Sequence, residues 1–147
     1  MSDAVGTISN ILQSQWSLSS PSASQVQWST TRVDSALFLQ SSEQYAIGCY
    51  NPPSPTTVEP ITEGAWRVTE RVMIDIIIKV PPGNTAAQML QTRENMRLEV
   101  YRIIHHNETS ISGIGDAYVE RETNKSEGPD LLRITLQVAC ITFNYQT

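Results

Sequence analysis

Apolar runs long enough to cross a membrane are missing from this sequence. A spanning helix needs ~20 consecutive apolar residues, and the greasiest stretch, "IDIII" at 74–78, is far too short. "MSDAVGTISN" has neither a basic leader nor an apolar core, so no signal peptide and no membrane partner are expected. Cysteine is scarce. Cys49 and Cys140 form no CxxC and have no histidine at metal-ligand spacing, which leaves two reduced, buried thiols as the reading. A disulfide between them requires adjacent strands. Without a secretion signal, the "NET" at Asn107 and "NKS" at Asn124 carry no weight as glycosylation sites.

Basic charge is in short supply too. Lys and Arg number 10 against 15 Asp and Glu, a net charge of −5, with a pI near 4.9. This excludes DNA binding by a simple basic face, which needs clustered cations. It leaves room for a wall that DNA passes without sticking. The only histidines, His105 and His106, are neighbours in a predicted helix. Adjacent helical positions point ~100° apart, so one metal does not take both. They read as polar helix-end residues that suit the helix dipole.

No GxSxG elbow is present among the many serines. Gly113 and Gly115 in "SGIGD" precede a strand, whereas a phosphate-cradling loop follows one and opens a helix; this is a turn. Asp34, Glu43, Asp75 and Asp116 are acids without a spacing that pairs them. No catalytic, cofactor-binding or metal-binding residue is expected.

What is there is a chain of 147 residues, 39% hydrophobic and 17% charged. That suffices for one domain burying roughly 70% of its unfolded surface. Residues 3–15 read as a helix, with Val5, Ile8, Ile11 and Leu12 at helical spacing and Ser2 or Asp3 as cap. "QVQWS" alternates as a short strand, Val26 and Trp28 on one face. "SALFLQ" and "YAIGCY" read as one bulged strand or a hairpin. "NPPSPTTVEPITEG" (51–64) holds four of the eight prolines, which rules out helix and central strand. It is expected to be a stiff loop: a linker, or an arm that docks on a neighbour.

The 66–80 segment then alternates over its whole length. Trp66, Val68, Glu70, Val72, Ile74, Ile76, Ile78 and Val80 share one face; Arg67, Thr69, Arg71, Met73, Asp75, Ile77 and Lys79 share the other. The first face belongs to the core. The second is expected to be half exposed or to meet a partner, so Asp75 need not be buried. At ~3.3 Å per residue the strand reaches roughly 50 Å, more than a small domain needs. Thr85 and Gln88 fit a capping box that opens a second helix, striped by Ala86, Met89, Leu90, Met96, Val100, Ile103 and Ile104. A strand through Ala117–Val119 and the polar turn "TNKSEGPD" follow. The final strand, "LLRITLQVACITFNY", repeats the greasy-and-polar design, with Arg133, Thr135 and Gln137 on its polar face. The order predicts a single α+β domain: a mixed or mainly antiparallel sheet with two helices packed on one face.

In "RVTERVMIDIIIKV", the helix from Met89 to Ile104, "GDAYVERE" and "LLRITLQVACITF", the chain resembles the tail-terminator proteins of long-tailed bacterial or archaeal viruses. That family is also described as minor tail or head–tail joining proteins. The resemblance covers nearly the whole chain, in element order and hydrophobic pattern. It implies a structural virion protein, not an enzyme, assembled in the host cytoplasm. Such proteins form a ring, usually a hexamer, that ends tail-tube polymerisation. The implied partners are other copies of the chain, the tail tube protein and a head-completion or connector protein, with DNA passing through the lumen unbound.

A closed ring repeats one heterologous contact by rotation, so each subunit needs two different patches. The candidates are the proline segment (Pro52, Pro53, Pro55) with Tyr50 and Trp66, and the polar strand face with Arg67, Arg71 and Asp75. Another connector or tube-like virion subunit, or a small intracellular ligand-binding domain or enzyme, are the alternatives.

Overall fold

Two strands of fifteen residues each, β4 (Ala65–Lys79) and β6 (Leu131–Tyr145), form the spine of the molecule. They pair antiparallel without a slip, from Ala65 opposite Tyr145 to Lys79 opposite Leu131. This register places Val72, Ile74, Ile76 and Ile78 beside Val138, Leu136, Ile134 and Leu132 on one face. All eight are buried, each contributing ~1.5–3 kcal/mol by leaving water. The computed structural model describes residues 3–84, 86–111, 114–126 and 130–145.

Around the spine lie β1 (Val26–Ser29), β2 (Tyr45–Tyr50), β3 (Thr56–Thr62) and β5 (Asp116–Ser126). The path is β1-β2-β4-β6-β5, and β3 also pairs with β4. Every pairing is antiparallel except β1 with β2, so the sheet is mixed. Helices α1 (Ala4–Gln15) and α3 (Ala86–His106) cover the apolar face. Ile8 and Leu12 of α1 and Met96, Val100, Ile103 and Ile104 of α3 join the strand residues in one core. Asp3 caps α1, its carboxylate accepting from Gly6 N–H at 2.9 Å.

Glu99 on α3 ties that helix to the chain leaving α1. It is buried and accepts from Ser17 N–H at 2.5 Å, Ser17 Oγ at 2.8 Å and Arg102 Nε at 2.9 Å. Burial pushes its pKa up, but these donors outweigh burial and hold the carboxyl below its ordinary value.

The single α+β domain and mixed sheet are as the sequence predicts, with three corrections in detail. "SALFLQ" is neither a strand nor part of a hairpin. It is a six-residue helix, α2 (Ser35–Gln40), capped by Asp34, whose carboxylate accepts from Leu37 N–H at 3.1 Å. It lies on the polar face, so a third helix joins the two on the apolar one. The second half of the proline-rich segment is not loop but β3. Pro60 fits there because β3 is an edge strand, where a missing N–H costs no ladder bond. Strand β5 runs to Ser126, through the first half of the expected polar turn. The rest of that turn (127–129), the Thr85 cap and Gly113 lie outside the described residues.

Candidate interaction surfaces

β4 is longer than the core it serves. Its C-terminal half, Met73–Ile78, pairs with β2. Its N-terminal half, Ala65–Glu70, pairs instead with β3, on the same side. With the end of β6 this makes a three-stranded arm beyond the helices. Thr62 and Ala65 close the β3–β4 turn. Gly64 takes φ 79° there, a left-handed conformation that glycine adopts without the steric cost of a side chain. Val58, Ile61 and Phe143 are exposed along the arm.

The expected interface residues divide differently from their expected patches. Trp66, half-buried, lies on the arm opposite Pro60 and Asn144, on the apolar side. Arg67 and Arg71 lie on the polar side. Arg67 pairs with Glu59 at 2.8 Å. Arg71 donates to Thr57 Oγ1 at 2.7 Å and Glu120 at 2.9 Å, so its charge is satisfied within the chain. Pro53 is exposed and Pro52 half-buried in the preceding loop. Pro55 anchors that loop, its carbonyl accepting from Arg71 N–H at 2.8 Å.

Asp75 requires a correction. Alternation places it on the polar face, as expected, but that face is covered at this level and Asp75 is 0% exposed. One carboxylate oxygen accepts from Tyr50 Oη at 3.1 Å and Thr135 Oγ1 at 2.8 Å. The other pairs with the buried guanidinium of Arg133. Arg133 in turn donates to Val33 O at 3.0 Å and Ser35 Oγ at 2.8 Å, pinning the loop that leads into α2. Gly48, opposite Asp75, makes room for that loop: a Cβ there would sit 2.9 Å from Thr31 O. Asp75 therefore organises the interior of the fold and has no exposed surface. Tyr50 sits with it rather than with Trp66, and burial, with Asp75 beside it, pushes the phenol pKa up.

A cleft of about 270 Å³ opens beside α2, bounded by Ser29, Arg32, Val33, Leu37 and Phe38. Phe38 is the buried residue of α2 and packs with Val33, Ala46, Ile77 and Leu131. Lys79 lies over its ring, 5.1 Å from the centroid. Leu37 and Leu39 point outward and are exposed. This cleft flanks the C-terminal end of β4, the end opposite the arm. Sequence reasoning placed Arg133 on the polar face of the last strand but not its pairing with Asp75, and it missed the cleft residues and Val58, Ile61 and Phe143. A signal for Arg133 existed: in antiparallel neighbours, opposite charges on matching faces fall within reach when the register is known.

The remaining chemistry is sparse. Burial pushes both thiols up to about 12, so neither is a nucleophile at neutral pH. Cys49 pairs with Ile74 and Cys140 with Glu70, on opposite sides of β4. Two strand spacings of ~4.8 Å, plus the offset along the strand, exceed disulfide reach. His105 and His106 are exposed at the end of α3. Among the described residues, no group of three or more His, Cys, Asp or Glu side chains is placed to hold a metal, and no helix is long and apolar enough to cross a membrane. No protein-family model matches the chain, and no curated protein sequence matches it.

Proposed function

We propose that the chain is a structural virion subunit that forms a ring at the junction of tail and neck. The ring ends tail-tube polymerisation and joins the tail to the head connector, with DNA passing through the lumen. The observation that carries this reading is the arm. A sheet that outgrows its helical cover and exposes Val58, Ile61 and Phe143 has apolar surface that a lone subunit leaves in water. On the arm Val58, opposite Val68, and Phe143, opposite Arg67, lie on opposite faces; exposed leucines at the other end of β4, Leu37 and Leu39, supply a different patch. Two unlike patches at opposite ends are what a heterologous, rotationally closed contact requires. The resemblance to tail terminators supplies the biological setting.

Native mass spectrometry and negative-stain imaging of the purified chain test the reading, alone and with tail tubes assembled from the tube protein of the same virus. A closed ring of about six copies, alone or seated on tube ends, is the expected result. A chain that stays monomeric in both conditions overturns it.

A further inference from the structure

We propose that the β3–β4 turn of one copy seats in the α2 cleft of a second copy, Ile61 entering against Leu37 and Phe38 while Glu63 pairs with Arg32. The inference rests on the ring reading and names the contact that would close it.

Size comes first. At about 270 Å³ the cleft falls just under the range of small-molecule sites, ~300–1,000 Å³, and suits one inserted side chain. Its lining is amphipathic: Leu37, 68% exposed, and Phe38 are apolar, and Arg32 and Asp34 are charged. An occupant should therefore carry a branched apolar group next to a carboxylate. The turn "ITEG" presents that combination in Ile61, 50% exposed, and Glu63, also exposed.

The charges on both sides are available in the right sense. Among the described residues, Glu63 has no ion pair, and Arg32 has no carboxylate partner but faces the Tyr50 hydroxyl. Asp34 also lines the cleft; its carboxylate accepts from Leu37 N–H but keeps its charge, so Arg32 has to outweigh it for Glu63 to enter, while Arg67 beside the turn is already held by Glu59.

Geometry makes the contact intermolecular. The turn adjoins Ala65 at one end of β4, whereas α2 packs by Phe38 on Ala46 and Ile77 at the other. At ~3.3 Å per residue these lie roughly 40 Å apart, so one copy cannot satisfy itself. The two surfaces differ, so the contact runs head to tail.

Thiol cross-linking tests this. Arg32→Cys and Glu63→Cys are made as separate variants, and the native thiols are buried. Because two long side chains separate the backbones beyond disulfide reach, a bifunctional thiol-reactive cross-linker is used in place of oxidation: the mixture should yield cross-linked dimers, while neither variant does alone. Arg32→Glu and Glu63→Arg should each weaken self-association roughly 10- to 100-fold, and the two substitutions in one chain should restore it. Unchanged thermal unfolding of each variant shows that the fold is intact. Rings that persist through both charge reversals, without cross-linking, overturn this contact and leave the ring standing. Monomers throughout, on tube ends as well, overturn both. Loss of tube or connector binding in Arg32→Glu with rings intact means the cleft serves another protein, and the proposal fails.

Discussion

Asp75 shows what a single charge does when strand alternation and tertiary cover disagree. Its face is polar by sequence, yet the Val33–Ser35 loop and α2 close over it, and the carboxylate survives burial through Arg133, Thr135 and Tyr50. A buried pair of this kind is not strong evidence for net stability, because desolvation offsets most of the attraction. Breaking it is another matter. Asp75→Ala leaves the Arg133 guanidinium, 3% exposed, without its counter-charge and should cost ~3–5 kcal/mol. Replacing both partners with apolar residues, Asp75→Leu with Arg133→Met, should cost less than the single change. Urea unfolding of the three chains decides. Equal losses for the single and double variants would mean that the pair fixes the α2 cover rather than satisfying a charge.

At the scale of elements, hydrophobic period did most of the work that was legible in advance. α1, α3, β1, β4 and β6 all follow from apolar spacing, because each buries one face against a large core. α2 does not, since six residues are too few to show a helical period and "SALFLQ" is apolar in either reading. Its decisive feature is the Asp34 cap, a local hydrogen bond that hydrophobicity does not register. β3 was hidden by prolines, which forbid a central strand but not an edge. For the candidate surfaces, alternation assigned Arg67, Arg71 and Asp75 to one face correctly. It could not say that Asp75 would be covered while Ile61 stayed exposed, because cover comes from elsewhere in the chain.

Glu99 offers a test of how the helices are joined. Its folded pKa lies below the ordinary 4.5, so its contribution is complete above that value and fades as pH falls through the depressed one. Glu99→Gln should cost ~1–3 kcal/mol at pH 7, where charged and backbone donors keep one neutral acceptor oxygen in place of two charged ones, and progressively less in acid. Chemical unfolding across pH 7 to 3 measures it. A penalty that stays constant with pH would show that shape, not charge, holds Ser17 to α3.

Across the whole molecule, the distribution of charge bears on what the surface does with DNA. The net charge is −5, and Arg67, Arg71, Arg97, Arg102 and Arg133 each pair with a carboxylate of the same chain. The other five of the ten cations are outnumbered by the acids, which disfavours displacement of counterions from a phosphate backbone, the main source of sequence-independent affinity. A ring built from such subunits would repeat this balance around its lumen, repelling rather than gripping the polymer that moves through it. The assembled protein should therefore leave duplex DNA unretarded in a gel-shift titration at ~0.1 M salt, where ordinary non-specific binders hold it with Kd values of ~10⁻⁴–10⁻⁶ M. Retardation that weakens steeply as salt rises would reveal a basic surface created by assembly, and the lumen would then be a DNA-holding site rather than a passive channel.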